Sequence, residues 1–237
     1  RCRICGNCVD ACPAVARSLS GRSLTVNELI AELAKDEPFF MQSGGGVTFS
    51  GGEPLMQYDF LRDSLQSARD RGWHTAVDTS LYATRETLES LMPLVDLWLC
   101  DLKHIDSETH RRLTGVPNES ILSNLEFVSR YAGDIIVRIP AIPGINDSVE
   151  HLRRCGAYLA SLDGIDRVDL LPYNEAIGSK LRRLPNCAAE LNQPPGTETG
   201  LPEMSHQIAP LKPQSPERMA ELAAVLTEFG LKVTVGG

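Results

Sequence analysis

Four of the seven cysteines of this 237-residue chain fall within its first thirteen residues, RCRICGNCVDACP. Cys2, Cys5, Cys8 and Cys12 are spaced C-x2-C-x2-C-x3-C and followed by Pro13, the run with which bacterial ferredoxins hold a 4Fe–4S cluster. Two-residue gaps let one loop present thiolates to several corners of a cubane, whereas a zinc site usually draws on two separated pairs. A disulfide fits poorly, because thiols this close are hard to bridge in good geometry. In two-cluster ferredoxins the fourth cysteine of such a run serves the other cluster. Cys12 is therefore expected to share Cys2, Cys5 and Cys8's cluster or to reach a second one, whose remaining ligands would lie upstream of Arg1.

A second chemical segment is SGGGVTFSGGEP, residues 43–54. Its glycines allow a close backbone approach to a ligand and positive φ. Glu53 adds a carboxylate suited to an ammonium group. A phosphate cradle would need GxxxxGK[ST], and a dinucleotide site GxGxxG; neither is present. Further along, Asp78, Thr79 and Asp101 offer hard oxygen donors for a ribose or a small cation. Lys103 offers a positive charge for a carboxylate. The ordinary alternatives are a helix cap for Asp78 and a solvated surface role for Lys103. His104 and His110 are read as parts of a polar segment, not as metal ligands, and no Ser/His/Asp triad suggests itself.

The elements that must position these residues alternate. Strands are expected over 47–50, 74–78, 97–101, 135–140, 167–172 and 232–235, with helices near 57–71, 84–92, 107–113, 118–131, 147–162 and 216–229. Thr25-Val-Asn-Glu28 reads as a capping box opening a further helix, and Asp147-Ser-Val-Glu150 as a similar start. Repeated β–α alternation implies a parallel α/β sheet, either doubly wound or a barrel. Ser50–Glu53, Asp78–Ser80, Asp101–Lys103, Arg138 and Tyr173-Asn174-Glu175 then all fall at or near carboxyl ends of strands, the edge where such sheets bind ligands. Residues 186–216 are rich in Pro, Gly, Ser and Thr and read as a surface excursion.

Bulk composition narrows the function. A net charge of −8 without a Lys/Arg run argues against nucleic acid or an anionic membrane as the main partner. No apolar stretch reaches the roughly 18 residues of a membrane span. Cys100, Cys155 and Cys187 are widely scattered, a pattern of free thiols in a reducing compartment, so a cytoplasmic location is expected.

Taken together and in order, SGGGVTFSGGEPLMQ, HTAVDTS, DLKHID, TGVPN, VRIPAIPGIND and LLPYNEAIGSK resemble the glycyl-radical-enzyme activating enzymes, radical S-adenosylmethionine (AdoMet) proteins related to pyruvate formate-lyase activase. The likeness runs from Cys2 to the terminal KVTVGG. It implies a partial (β/α)6 barrel over residues 22–237, preceded by part of a ferredoxin-like insert over residues 1–21. It implies an oxidoreductase that cleaves AdoMet with one electron and uses the 5′-deoxyadenosyl radical to take hydrogen from a glycine of a partner enzyme, with reduced flavodoxin or ferredoxin as electron donor. Carried over by position, Gly51, Gly52 and Glu53 match the segment at the methionyl amino group. Asp78, Thr79 and Asp101 match positions beside a monovalent cation. Lys103 matches a lysine that approaches the AdoMet carboxylate, and Arg138 a strand arginine near the same site. Asn174 stands where some relatives place a cofactor-contacting histidine; an amide can still hydrogen-bond there but carries no proton at neutral pH.

One family element is missing from the sequence. The AdoMet-cleaving cluster of these enzymes is bound by C-x3-C-x2-C, and none of the seven cysteines has that spacing. The motif and a first barrel strand are expected upstream of Arg1, so that the chain begins inside the insert, its own cluster is auxiliary, and the chain alone does not cleave AdoMet. Two other readings carry less of the sequence. A radical AdoMet enzyme acting on a small molecule or peptide leaves TGVPN and LLPYNEAIGSK unused. A non-catalytic electron-transfer protein leaves Glu53, Asp78, Asp101 and Lys103 without a purpose.

Overall fold

A computed structural model of the chain describes residues 7–14, 16, 21–174 and 212–236. Cys2, Cys5, Glu175, Cys187 and most of the 186–216 excursion lie outside the described residues. All six expected strands form: β1 Gly46–Phe49, β2 His74–Thr79, β3 Leu97–Asp101, β4 Asp134–Ala141, β5 Arg167–Pro172 and β6 Lys232–Val235. They pair in the order β1-β2-β3-β4-β5-β6, every pair parallel. A doubly wound sheet reverses its strand order at a switch point. This order never reverses, so the alternation resolves in favour of the partial barrel.

Burial along the strands shows why one face is covered. In β4, Ile135, Val137, Ile139 and Ala141 are buried while Ile136, Arg138 and Pro140 between them are half-buried. Strand β3 repeats the pattern with Trp98 and Cys100 buried. This period of two sends alternate side chains to opposite faces. The buried set packs with Leu61, Leu65, Leu88, Leu125, Leu152, Leu159 and Leu222 into one continuous core. These leucines come from the crossover helices α4 Tyr58–Asp70, α5 Arg85–Leu91, α7 Glu119–Tyr131, α8 Val149–Ala160 and α9 Pro216–Thr227. Before the sheet stand α1 Asn7–Asp10, α2 Val26–Leu33 and α3 Glu37–Ser43, and α6 Ser107–Thr114 lies between β3 and α7.

Local chemistry fixes the helix starts. Thr25 and Glu28 form both bonds of a capping box at α2, and Thr84, Asp106 and Ser215 cap α5, α6 and α9. The expected start at Asp147 shifts by one residue. Ser148 caps α8, accepting from the His151 N–H, while the Asp147 carboxylate is taken by the Gly144 N–H at 2.8 Å. One glycine is required by packing in the sheet: a Cβ on Gly46 would lie 1.8 Å from the His74 carbonyl oxygen across the β1–β2 pair. No described helix is long and apolar enough to cross a membrane.

Candidate active site

The parallel order brings the carboxyl ends of the strands to one edge, and the site is built there. Ser50, Gly51, Gly52, Glu53, Asp78, Thr79, Ser80, Asp101 and Lys103 line one polar cavity of about 290 Å³. Seven of the expected cofactor residues thus converge from three separate strand exits. Gly51 adopts φ 126°, and neither it nor Gly52 has an atom within 4 Å of where a Cβ would stand. Their main chain is therefore open to a ligand.

Glu53 is occupied differently from the sequence expectation. Its Oε1 accepts from the Thr79 hydroxyl at 2.7 Å and the Leu55 N–H at 3.2 Å, and its Oε2 accepts from the Ser80 N–H at 2.9 Å and the Ser80 hydroxyl at 2.5 Å. A carboxylate offers about four lone-pair sites, and all four are engaged by the protein itself. Glu53 ties the glycine segment to the exit of β2. Thr79, expected beside a cation, is buried, and its hydroxyl donates to Glu53 and accepts from the Leu81 N–H at 3.0 Å.

The charged groups form pairs across the half-buried face. Asp78 Oδ2 accepts from Arg138 Nη1 at 2.6 Å and from the Ser50 hydroxyl at 3.0 Å. Asp101 Oδ2 accepts from Lys103 Nζ at 3.0 Å. Arg138 also stands in register with Asp101 on one side and Asp169 on the other. Asp169 was not singled out from the sequence, although its polar side chain interrupts an apolar strand. Burial pushes its carboxyl above the ordinary range, against the pull of Arg138 and Arg167. Arg138 joins this cavity to a second, of about 610 Å³, lined with Leu171, Pro172, Tyr173, Asn174, Pro213 and Gly236. Arg138 and Asn174 are therefore brought to the neighbouring cavity, and Arg138 is the link between the two.

Beneath Lys103 lies a buried polar layer. His104 stacks on His151 of α8 with ring centroids 4.3 Å apart, and His151 Nε2 lies 3.4 Å from Cys155 Sγ. Desolvation, with the His104 and Arg154 charges adding to it, pushes His151 down to about 4. Burial likewise pushes the Cys155 thiol up to about 12. Its proton therefore stays on sulfur, and the contact with the imidazole joins two neutral groups. His151 escaped the sequence reading because its partner lies 47 residues away.

The cavity holds both signs of charge, carboxylates at Asp78 and Asp101 and a cation at Lys103, with Arg138 paired to Asp78 from the neighbouring cavity. This suits a zwitterionic, amino-acid-like group flanked by a less polar portion in the larger cavity. The donor set thus fits the methionyl end of AdoMet. Of the cysteine run, Cys8 is exposed and Cys12 half-buried, both free thiols away from the core and accessible as cluster ligands. Among the described residues, no group of three or more His, Cys, Asp or Glu side chains is arranged to hold a metal ion.

Comparison with known proteins points the same way. The profile of the radical SAM superfamily matches residues 1–155. The chain is 33% identical over 236 residues to the (2S)-3-sulfopropanediol dehydratase activating enzyme of Klebsiella oxytoca, covering 98% of this chain and 70% of that protein. It is 39% identical over 175 residues to the choline trimethylamine-lyase activating enzyme of Oleidesulfovibrio alaskensis, covering 73% of this chain and 56% of that protein. The crystal structure of a domain of pyruvate-formate lyase-activating enzyme from Bacteroides vulgatus superposes with a TM-score of 0.61 at 34% identity, covering 81% of this chain and 99% of that domain.

Proposed function

Because the chain belongs to the radical SAM superfamily, among the activating enzymes of glycyl-radical enzymes, we propose that it holds AdoMet for the activation of a partner glycyl-radical enzyme. The observation that carries this reading is the single cavity shared by Gly51, Gly52, Glu53, Asp78, Thr79, Asp101 and Lys103, with charges of both signs at its wall. When bound, AdoMet and a reduced 4Fe–4S cluster supply a radical able to take a hydrogen atom from a glycine.

The chain's own residues bind and orient. Lys103 pairs with the AdoMet carboxylate, exchanging an intramolecular carboxylate, Asp101, for one on the ligand. The open main chain of Gly51 and Gly52 meets the ammonium group, and Glu53 fixes that main chain through its four hydrogen bonds. Released from Lys103, Asp101 joins Asp78 beside a monovalent cation. Arg138 and Asn174 face the nucleoside portion in the larger cavity. Residues 1–21 form a ferredoxin-like unit in which Cys2, Cys5, Cys8 and Cys12 hold an auxiliary cluster, and reduced flavodoxin or ferredoxin in the cytoplasm supplies the electron. No C-x3-C-x2-C occurs within the 237 residues, so the purified chain is expected to bind AdoMet without cleaving it.

Titration calorimetry with AdoMet tests the reading. Binding that weakens roughly tenfold on Lys103→Met, the loss of one charge-assisted contact, supports it. No binding by the chain overturns it, and 5′-deoxyadenosine formed by the chain with AdoMet and dithionite overturns the statement about cleavage.

A further inference from the structure

The segments TGVPN and PGIND contribute no side chain to either cavity wall, yet each places one buried asparagine against the loop that carries Lys103. We infer that Asn118 and Asn146 are positioning residues that set Lys103 for its ligand by capturing the three consecutive main-chain carbonyls of Lys103, His104 and Ile105.

The geometry begins where the β3–β4 ladder stops. The Leu102 N–H donates to the Arg138 carbonyl at 2.9 Å. Two residues further along β4 stands Pro140, which has no N–H to give. The carbonyl oxygens of Lys103 and Pro140 are both acceptors and cannot bond one another. A primary amide is the side chain that resolves this, since its –NH2 carries two donors. Asn146 Nδ2 donates to Lys103 O at 2.9 Å and to Pro140 O at 2.6 Å, while its Oδ1 accepts from the Ile142 N–H at 2.6 Å. Asn118 repeats the device one residue on, with Nδ2 donating to His104 O at 2.8 Å and to Ile105 O at 3.1 Å. Both asparagines are buried, 1% and 2% exposed.

In both cases the isosteric aspartate has no donor and would press a negative charge against two carbonyl oxygens. Asn146 ties the exits of β3 and β4 together at the point where Lys103 leaves the sheet to meet Asp101, and Asn118 fixes the two residues that follow Lys103. The role assigned to Lys103 toward AdoMet rests on the reading under Proposed function; the capture of its main chain does not.

The test therefore has a ligand-free arm and a ligand arm. The chain has five lysines, and reductive methylation with 13C-formaldehyde gives each an NMR signal, that of Lys103 being assigned by Lys103→Arg. Asp101→Asn is expected to move the Lys103 signal, which reports the ion pair. Asn146→Asp and Asn118→Asp are expected to bring it close to the shift of an unfolded lysine, and Asn146→Ser, which keeps one donor and is milder toward folding, to an intermediate position. Dispersed signals from the remaining lysines verify that each variant is folded. A Lys103 signal unchanged in folded Asn146→Ser and Asn118→Asp overturns the inference.

In the ligand arm, AdoMet and decarboxylated AdoMet, which lacks the carboxylate, are titrated in parallel. Asn146→Ser is expected to weaken AdoMet roughly tenfold, the order of one hydrogen bond to a charged group, and to leave the decarboxylated compound within about twofold, the scatter usual for uncoupled sites. Equal weakening of both compounds shows a merely structural role and overturns the inference. If the parent chain binds neither compound, the AdoMet reading fails, and the NMR arm still decides the positioning role.

Discussion

Acidification should loosen this protein in a window set by the stacked histidines. His151 is pushed down to about 4 by burial, and His104 moves in the same direction for the same cause, partly offset by hydrogen bonding at Asp106. An unfolded histidine titrates near 6.5. A histidine whose folded pKa lies below its unfolded one binds its proton more readily in the unfolded chain, so stability is fully present above pH about 6.5 and falls as the pH drops toward 4. For His151 alone the linkage integral from pH 7.5 to pH 5 amounts to about 2 kcal/mol. The charged groups around the pair do not reverse that sign: Arg154 opposes protonation of both rings, and Asp106 favours only that of His104. The carboxylates held low by hydrogen bonds or ion pairs, among them Asp96, Asp106 and Asp166, lose their contributions at lower pH than this window. Urea unfolding at half-unit steps from pH 7.5 to pH 5 measures the slope. His151→Phe, which keeps an aromatic ring against His104, should remove most of it. A flat wild-type profile, or an unchanged slope in His151→Phe, refutes the reasoning.

Other perturbations have equally direct expectations. Glu53→Gln turns an amide –NH2 toward the Ser80 or Thr79 donors and should cost about 2 kcal/mol, a fall in melting temperature of roughly 4–8 °C for a chain of this size; a shift under about 1 °C would deny Glu53 its bracing role. Gly46→Ala places a methyl 1.8 Å from the His74 carbonyl oxygen and should destabilise by about 3 kcal/mol or more in urea titration, whereas full tolerance would contradict the Gly46–His74 register. In maleimide labelling followed by peptide mapping, Cys8 and Cys12 should react in the native cluster-free chain, while Cys100 and Cys155, both buried with thiols pushed upward by desolvation, should react only in urea. Labelling of Cys155 at the rate of Cys8 would count against the packing of α8.

The sheet was legible because its signals are local. Short apolar runs mark each strand, those of β1, β2, β3 and β5 ending at or beside Ser50, Asp78, Asp101 and Tyr173, and the crossover helices follow from their own periodicity. The wall of the cavity was legible for the same reason, since a parallel sheet brings every strand exit to one edge. Relations between segments were not legible. That Glu53 is saturated by Thr79, Ser80 and Leu55 depends on how two loops meet. That Asn146 bridges two carbonyls depends on Pro140 ending a ladder whose other strand lies more than thirty residues earlier. The cap of α8 was misassigned because Asp147 and Ser148 are both good caps, and only the Gly144 turn decides which carboxylate or hydroxyl is free for the helix.

The unbroken strand order has a consequence for how the protein is made. Each strand from β2 to β6 pairs with its immediate predecessor in the chain, so each finds that partner already synthesised when it emerges. Each βα unit can dock on the one before it as it leaves the ribosome. The closures run from 17 residues between β2 and β3 to 59 between β5 and β6, and because closure entropy grows only with the logarithm of length, the longest costs about 1 kcal/mol more than the shortest. Assembly of this kind keeps only one growing edge exposed at a time, which limits the period in which a bare strand can pair with another nascent chain.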